Sequence, residues 1–166
     1  CSGHLGKNIF QFSEYELGTM GLFHDIGKYF IHLLKPLGEA SAELPRLIWE
    51  EQQYGINHAF LGSLVATNWQ LSDSIVKCIE YHHYPAFFPP ESIPEPYRKQ
   101  VFVIYLSDLI CKTLGYGADT DEKLPIRNDY YEMFKMQPDL QENVAPKLIK
   151  EIEKAHLTVQ SYIHTP

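Results

Sequence analysis

The sequence predicts an all-α protein, a compact bundle of helices folded as a single domain. Apolar residues recur at every third or fourth position through most of the chain, as they do on one face of a helix. Alternation of apolar and polar residues, which is typical of strands, is almost absent. Capping residues, glycines and prolines divide the chain into segments close to the length of ordinary globular helices. All 166 residues are expected to belong to this one domain.

The first predicted helix runs from about Glu14 to Leu34 and contains an adjacent histidine and aspartate, His24 and Asp25. Apolar residues before and after this pair share one face of the helix. A Lys-Pro step ends the helix, because proline disfavours the helical conformation in the residue before it. Gly21 and Gly27 each lower helix stability, so they predict close packing or a break near the pair.

A second helix is predicted from Leu44 to Gln53, closed by Gly55. Asn57 is a favourable N-cap for a third helix, which places His58 on its apolar side. A lone buried histidine is more often a hydrogen-bonded core residue than a metal ligand, so His58 by itself indicates little about function.

The fourth predicted helix begins after Ser72 and carries His82 and His83 at the end of its apolar face. Two adjacent histidines at this position have two explanations. They either cap the helix, because cations are favoured at its C-terminus, or they belong to a binding site.

Five prolines between residues 85 and 96 predict a loop in place of a helix or a central strand, with Phe87 and Phe88 as anchors or as a lid. The next helix, from about Tyr97 to Leu114, is predicted to bury one stripe that includes Asp108. A carboxylate on an apolar face is costly unless it is paired or coordinated. Asp108 is therefore the hardest of these residues to explain by packing alone.

Two helices complete the predicted bundle, a short one from about Asp129 to Lys135 and a last one from about Asn143 to Ile163. The remaining histidines of the helical part fall outside the apolar faces. We therefore expect three surface histidines, His32, His156 and His164.

Composition excludes several classes of protein. A formal net charge of −7 argues against binding to a nucleic-acid backbone, which requires clustered Lys and Arg. No apolar segment is long enough to span a bilayer, and the N-terminus lacks a secretory signal pattern.

Cys1, Cys78 and Cys111 form no close-spaced pair, which favours free thiols and a cytoplasmic location. Because the chain begins with Cys, we expect it to be a piece of a longer or processed protein.

Polar residues on the predicted apolar faces form one set whose side chains can all ligate divalent metals. Its members come from four helices: His24, Asp25, His58, His82, His83 and Asp108. Facing helices of a bundle are a usual place to assemble such a site. Two metals about 3.5–4 Å apart can activate a water and hold a phosphoester. The set therefore predicts a metal centre with hydrolytic chemistry; an unrelated bundle with scattered histidines is the alternative.

Four segments, GLFHDIGK, GINHAFLG, IEYHHYP and IYLSDLICKTLG, resemble in order and framing the motifs of the HD superfamily of metal-dependent phosphohydrolases. Their spacing is most similar to that of the HDOD output domains of bacterial signalling proteins. The resemblance implies an HD-type helical fold and two divalent metal ions, drawn from Mn, Mg, Fe or Ni. It marks the six residues above as ligands, with Asp25 as the catalytic carboxylate that bridges the ions. Lys28 matches the lysine that follows the HD motif, which implies a catalytic contact with substrate phosphate.

Two features depart from the superfamily. The segment after His83 lacks the Gly-Tyr-Pro signature of the branch that hydrolyses cyclic di-GMP, so that reaction is not expected. The superfamily's first ligand is a histidine upstream of the HD pair, and the candidate here is His4. His4 lies closer to His24 than the family pattern implies. It is either this ligand or a residue of the N-terminal tail.

The resemblance leaves two functions open. One is a phosphohydrolase that acts on a phosphate ester or nucleotide in bacterial signalling. The other is an HDOD-type module that binds metal or signalling proteins without turnover, with Phe87, Phe88 and the proline segment as its contact surface. The expected ligand is a phosphorylated small molecule or a nucleotide, and neither nucleic acid nor a membrane is expected as a partner. Intact residues at six ligand positions favour the enzyme.

Overall fold

The chain forms helices and no strand throughout the part that the structure describes, so the all-α prediction is confirmed. The structure is a computed structural model that describes residues 13–34, 44–116, 124–136 and 146–163. The helices are α1 Glu14–Phe23, α2 Ile26–Leu34, α3 Arg46–Tyr54, α4 His58–Asn68, α5 Asp73–Tyr81, α6 Tyr84–Phe87, α7 Arg98–Thr113, α8 Asn128–Phe134 and α9 Pro146–Ile163. Two single 3₁₀ turns, Pro90–Ser92 and Glu95–Tyr97, lie between α6 and α7.

The first predicted helix is two helices, because His24 and Asp25 form a turn between α1 and α2. The Nδ1–H of His24 donates to the carbonyl oxygen of Gly21 at 2.7 Å. In a continuous helix that carbonyl would accept the amide of Asp25, so the histidine ring takes the acceptor that the helix needs. The prediction of one helix from Glu14 to Leu34 is wrong, whereas the break that the glycines suggested is present.

Helix α4 packs closely against α2 and α5. A Cβ added to Gly27 of α2 would lie 1.9 Å from the carbonyl oxygen of His58, and one added to Gly62 of α4 would lie 2.9 Å from Cγ2 of Ile79. Glycine at position 27 therefore lets α2 and α4 approach to backbone contact, and glycine at position 62 leaves room for the side chain of Ile79 from α5. The Oδ1 of Asn57 accepts the Phe60 amide at 2.9 Å, which confirms the predicted N-cap of α4.

The proline segment is more regular than predicted. It contains α6 and both 3₁₀ turns, and proline occupies an early position in each of these elements, where its missing N–H is not needed. Ile93 between the two turns is fully buried. The prediction of a loop is therefore wrong for most of this segment, which anchors to the core through its apolar side chains.

Helix α7 lies at the centre of the core. All residues from 101 to 112 are buried except Asp108 and Cys111, because α1, α5 and the second 3₁₀ turn pack against different sides of the helix. The prediction of a single buried stripe is therefore wrong. On one side Phe102 stacks on Tyr130 of α8, with ring centroids 6.0 Å apart.

The predicted surface histidines have three different outcomes. His32 is exposed, as predicted. His156 of α9 is only partly exposed, because its ring packs on Tyr116 at 4.3 Å between centroids. His164, like Cys1 and residues 143–145 of the last predicted helix, lies outside the described residues. Cys78 is a buried free thiol, as predicted.

Within the described part of the chain, no helix combines the length and the apolar character needed to cross a membrane.

Candidate metal centre

The predicted ligands meet at the ends of helices. His24 and Asp25 lie in the turn between α1 and α2, His58 is the first residue of α4, and His82 and His83 follow the last residue of α5. Asp108, in the middle of α7, is the exception. The sequence predicted His58 and the pair His82 and His83 near helix ends, but it placed His24 and Asp25 inside one helix. In the structure, these side chains turn towards a common point.

The carboxylate of Asp25 lies at that point. Its Oδ1 is 3.3 Å from Nε2 of His58 and 3.6 Å from Nε2 of His82. Its Oδ2 is 3.3 Å from Nε2 of His24. The Nε2 atoms of His58 and His83 are 2.9 Å apart. Asp25, His58, His82 and His83 each offer one ligand atom, and these atoms all lie within 4.8 Å of one another.

Three of the four histidine rings have a fixed orientation. The Nδ1–H groups of His24 and His82 donate to the carbonyl oxygens of Gly21 and Ile79, both at 2.7 Å. The Nδ1–H of His58 donates to a buried carboxylate at 2.5 Å. Because these partners can only accept, each neutral ring carries its proton on Nδ1 and has a lone pair on Nε2. All three Nε2 atoms face Asp25, and that of His58 also accepts the Nε2–H of His83 at 2.9 Å.

The atoms around Asp25 lack ordinary partners. Nε2 of His24, Nε2 of His82 and Oδ1 of Asp25 are buried and have no hydrogen-bond partner among the described residues. Buried polar atoms are seldom left in this state. Nitrogen and carboxylate oxygen are ligands for divalent transition metals. The residues present therefore fit a bound metal ion.

The protonation states of His82, His83 and Asp25 suit metal binding, whereas that of His24 differs. Burial lowers the pKa of His82 to about 4 and the pKa of His83 well below its usual range, so both imidazoles are neutral near pH 7. Burial alone would raise the pKa of Asp25, but His24, His58 and His82 lower it well below its usual range. Burial also opposes the charged form of His24, but Asp25 and Asp108 outweigh this effect and raise its pKa.

The centre has a second end, where lysines contact the carboxylates. Nζ of Lys28 lies 3.0 Å from Oδ2 of Asp25, and Nζ of Lys112 lies 2.9 Å from Oδ2 of Asp108. Oδ1 of Asp108 is 4.0 Å from Nε2 of His24. We call this region the lysine end, and the compact cluster the histidine end. The histidine end comprises Asp25 Oδ1, His58, His82 and His83; the lysine end comprises Asp25 Oδ2, His24, Lys28, Asp108 and Lys112.

The structure thus brings together the six predicted ligands and Lys28. His4 lies outside the described residues.

The sequence did not predict two residues at the centre, Glu50 of α3 and Lys112 of α7. Each forms an i, i+4 ion pair, Glu50 with Arg46 and Lys112 with Asp108. That spacing normally indicates a solvated pair on a helix surface, so it gave no signal of a buried role.

A cavity of about 190 Å³ opens beside the histidine end. Its lining includes His83, together with the aromatic rings of Phe60 and Tyr84 and the carboxylates of Glu51 and Glu80. His83 is the member of the histidine end that lines this cavity.

Comparison with known proteins bears on both the fold and the site. The model that defines the HDOD domain family matches residues 1–85, about half of the chain. No curated protein sequence matches the chain. Among solved structures, the chain matches the 1.62 Å crystal structure of a provisionally assigned phosphohydrolase from Shewanella amazonensis SB2B, with a TM-score of 0.62 and 24% identity. The match covers 90% of this chain but 54% of that protein, so the chain spans about half its length. At this identity the likeness concerns the fold alone.

Proposed function

Because the chain belongs to the HDOD family, a branch of the HD superfamily, we propose that it is a metal-dependent phosphohydrolase acting on a phosphate ester or a nucleotide. One observation carries the proposal. A partly exposed, ionised carboxylate, that of Asp25, lies within 3.6 Å of three histidine Nε2 atoms whose rings are oriented towards it. This arrangement suits a Lewis-acid centre better than it suits packing, because packing alone would not align the unpartnered atoms of several rings.

The proposed ligands of the metal centre are the six residues of the sequence-based prediction. The histidine end is the more compact part and is the first candidate to hold an ion. A bound divalent ion would polarise a phosphoryl oxygen and lower the pKa of water at the site. Imidazole and carboxylate donors together suit Mn, Fe or Ni.

Lys28 is the proposed contact for substrate phosphate. Its ammonium group is partly exposed and reaches the same carboxylate oxygen that faces His24, so it lies where the site meets solvent. A compact ammonium charge binds phosphate as a point charge and can exchange a carboxylate partner for a phosphoryl oxygen. Asp25 would hold Lys28 in place until the substrate arrives.

The second candidate function is a signalling module that binds metal or a partner protein without turnover. The HDOD match favours it, and so does the proline segment, where Phe88 is exposed and packs on Tyr84 at 4.6 Å between ring centroids. Bacterial signalling is the proposed context for both candidates.

Metal content and turnover, measured together, separate the two candidates. The parent, purified without chelator and supplied with Mn²⁺ or Ni²⁺, should retain metal and hydrolyse bis-p-nitrophenyl phosphate or a nucleotide. His82→Ala removes a buried ring of the histidine end and should lose both properties. His32→Ala, which removes an exposed histidine of α2, should keep both.

Each other outcome has a distinct meaning. A parent that retains no metal contradicts the proposed enzyme. Full metal occupancy without turnover on phosphomonoesters, phosphodiesters and nucleotides contradicts hydrolysis and favours the signalling module.

A further inference from the structure

Helix α3 contains none of the predicted ligands, yet it contributes one fully buried side chain to the centre. Glu50 has no solvent-exposed surface. Its Oε2 accepts the backbone N–H of His58 at 2.8 Å and the Nδ1–H of the same residue at 2.5 Å. Its Oε1 accepts the Nε–H of Arg46 at 3.0 Å. Three N–H donors thus converge on one buried carboxylate.

The position of His58 explains why such a partner is needed. His24 and His82 lie at the C-terminal ends of helices, and each donates its Nδ1–H to the carbonyl three residues earlier. His58 is the first residue of α4, so no preceding turn of its own helix offers a carbonyl. The acceptor that fixes this ring has to come from another element, and α3 supplies it.

We propose that Glu50, held by Arg46, is the positioning residue of the metal centre, which fixes His58 with its proton on Nδ1 and its Nε2 lone pair directed at the metal. This inference rests on the metal binding proposed above. An ionised carboxylate only accepts, so it imposes one tautomer on the ring. Carboxylate partners of this kind orient the histidine ligands of metal sites and increase their basicity.

The isosteric amide cannot replace Glu50. With the amide oxygen facing His58, the NH₂ group of Gln would meet the Nε–H of Arg46, donor against donor. With the NH₂ group facing His58, it would meet the backbone N–H and leave Nδ1 as an acceptor. The ring proton would then move to Nε2, the atom that points to Asp25. Glu50→Gln therefore removes a pure acceptor while preserving size.

The experiment measures the ring tautomer and the metal affinity separately. Long-range ¹H–¹⁵N correlation spectra of the metal-free chain, labelled with ¹⁵N-histidine, report which nitrogen of His58 carries the proton. Calorimetry with Ni²⁺ alone reports affinity. In the parent we expect the proton on Nδ1. In Glu50→Gln we expect a shift towards Nε2 and an affinity lower by roughly 10- to 100-fold.

The matched control is Glu132→Gln, the same change at an exposed glutamate of α8 that does not line the cavity beside the histidine end. The tautomer of His58 and the Ni²⁺ affinity of this variant should equal those of the parent. Arg46→Gln removes the positive charge behind Glu50 and leaves the carboxylate in place, so it should also lower the Ni²⁺ affinity, but by less than Glu50→Gln.

Two results overturn the inference: a parent whose His58 carries its proton on Nε2, or a Glu50→Gln chain with parental tautomer and affinity. If Glu50→Gln does not fold, the tautomer of His58 in the parent and the Ni²⁺ affinity of Arg46→Gln still test the role of Glu50. A parent that binds no Ni²⁺ contradicts the proposed function, whereas the tautomer of His58 still tests the role of Glu50.

Discussion

The two ends of the candidate centre differ in what neutralises their charge. At the histidine end, one carboxylate oxygen of Asp25 faces the imidazoles of His58 and His82, and two buried atoms, Oδ1 of Asp25 and Nε2 of His82, have no hydrogen-bond partner among the described residues. At the lysine end, Oδ2 of Asp25 and Oδ2 of Asp108 each contact an ammonium group within about 3 Å. The histidine end therefore offers donor atoms that could hold a metal ion, whereas the lysine end already contains two ammonium groups.

This difference suggests that the two ends of the centre bind different ligands. Histidines around a carboxylate can bind a divalent ion, and burial favours this at the histidine end because it keeps His82 and His83 unprotonated near pH 7. Two ammonium groups at the other end favour an anion, such as the phosphate of a substrate. The sequence predicted these six residues as one set of ligands. In the structure they fall into two ends, and Lys28 and Lys112 distinguish one end from the other.

The pH dependence of stability should separate the two ends most strongly. The unfolded chain protonates its histidines below about pH 6.5, whereas buried His82 has a pKa of about 4. The native state then binds fewer protons, so stability falls as the pH drops from 6.5 to 4, by up to roughly 3 kcal/mol for His82 alone. His83 acts in the same direction. At the lysine end the sign is opposite: the raised pKa of His24 contributes stability below pH 6.5, which is lost as the pH rises through its folded-state pKa.

Urea unfolding of chelator-treated protein between pH 4 and pH 8 measures this dependence. His82→Gln should reduce the loss of unfolding free energy between pH 6.5 and pH 4. The control His32→Gln, at an exposed position, should leave that loss unchanged. An unfolding free energy that stays constant from pH 6.5 to pH 4 contradicts the assignment of neutral, buried histidines.

The substitution Gly27→Ala should test how closely α2 and α4 pack beside the histidine end. In Gly27→Ala the new Cβ would lie 1.9 Å from the His58 carbonyl oxygen and 2.8 Å from the Gly62 amide nitrogen. Both are backbone atoms, so α2 and α4 must move apart, at a cost of about 3 kcal/mol, the upper part of the range for overpacking. The displacement moves His58, so Ni²⁺ affinity should fall as well. Denaturant midpoints and calorimetry measure the two effects.

Gly18→Ala is the matched control. Gly18 also lies within a helix, α1, but a Cβ there would meet no atom within 4 Å. This variant should gain up to about 1 kcal/mol from better helix propensity and keep parental metal affinity. Equal midpoints for the two variants would contradict the close approach of α2 and α4.

The sequence predicted the all-α fold and the residues that gather around Asp25, but not their division into two ends. Histidines and aspartates on apolar faces are visible as a pattern, because burying them there is costly without a partner. The turn at His24 was not predictable, because it depends on a side chain taking the Gly21 carbonyl. Lys112 and Glu50 were missed for a related reason. Their i, i+4 pairs look solvated in sequence, and only the packing of α3 and α7 makes them buried.

The smallest expected effect concerns Lys112 and the capacity of the lysine end for metal. Nζ of this buried lysine contacts Oδ2 of Asp108, the carboxylate whose Oδ1 faces Nε2 of His24, so its charge opposes a cation at that carboxylate. Lys112→Met keeps the length of the side chain and removes its charge, so Asp108 and His24 should bind a second Ni²⁺ about tenfold more tightly, equal to about 1.4 kcal/mol. Calorimetric titration resolves the second binding event from the first. Lys77→Met, which removes an ammonium group that pairs with Glu80, should leave both events unchanged. If Lys112→Met also leaves the second event at its parental affinity, Lys112 does not compete with metal, and the two ends of the centre do not differ in the way that their contacts indicate.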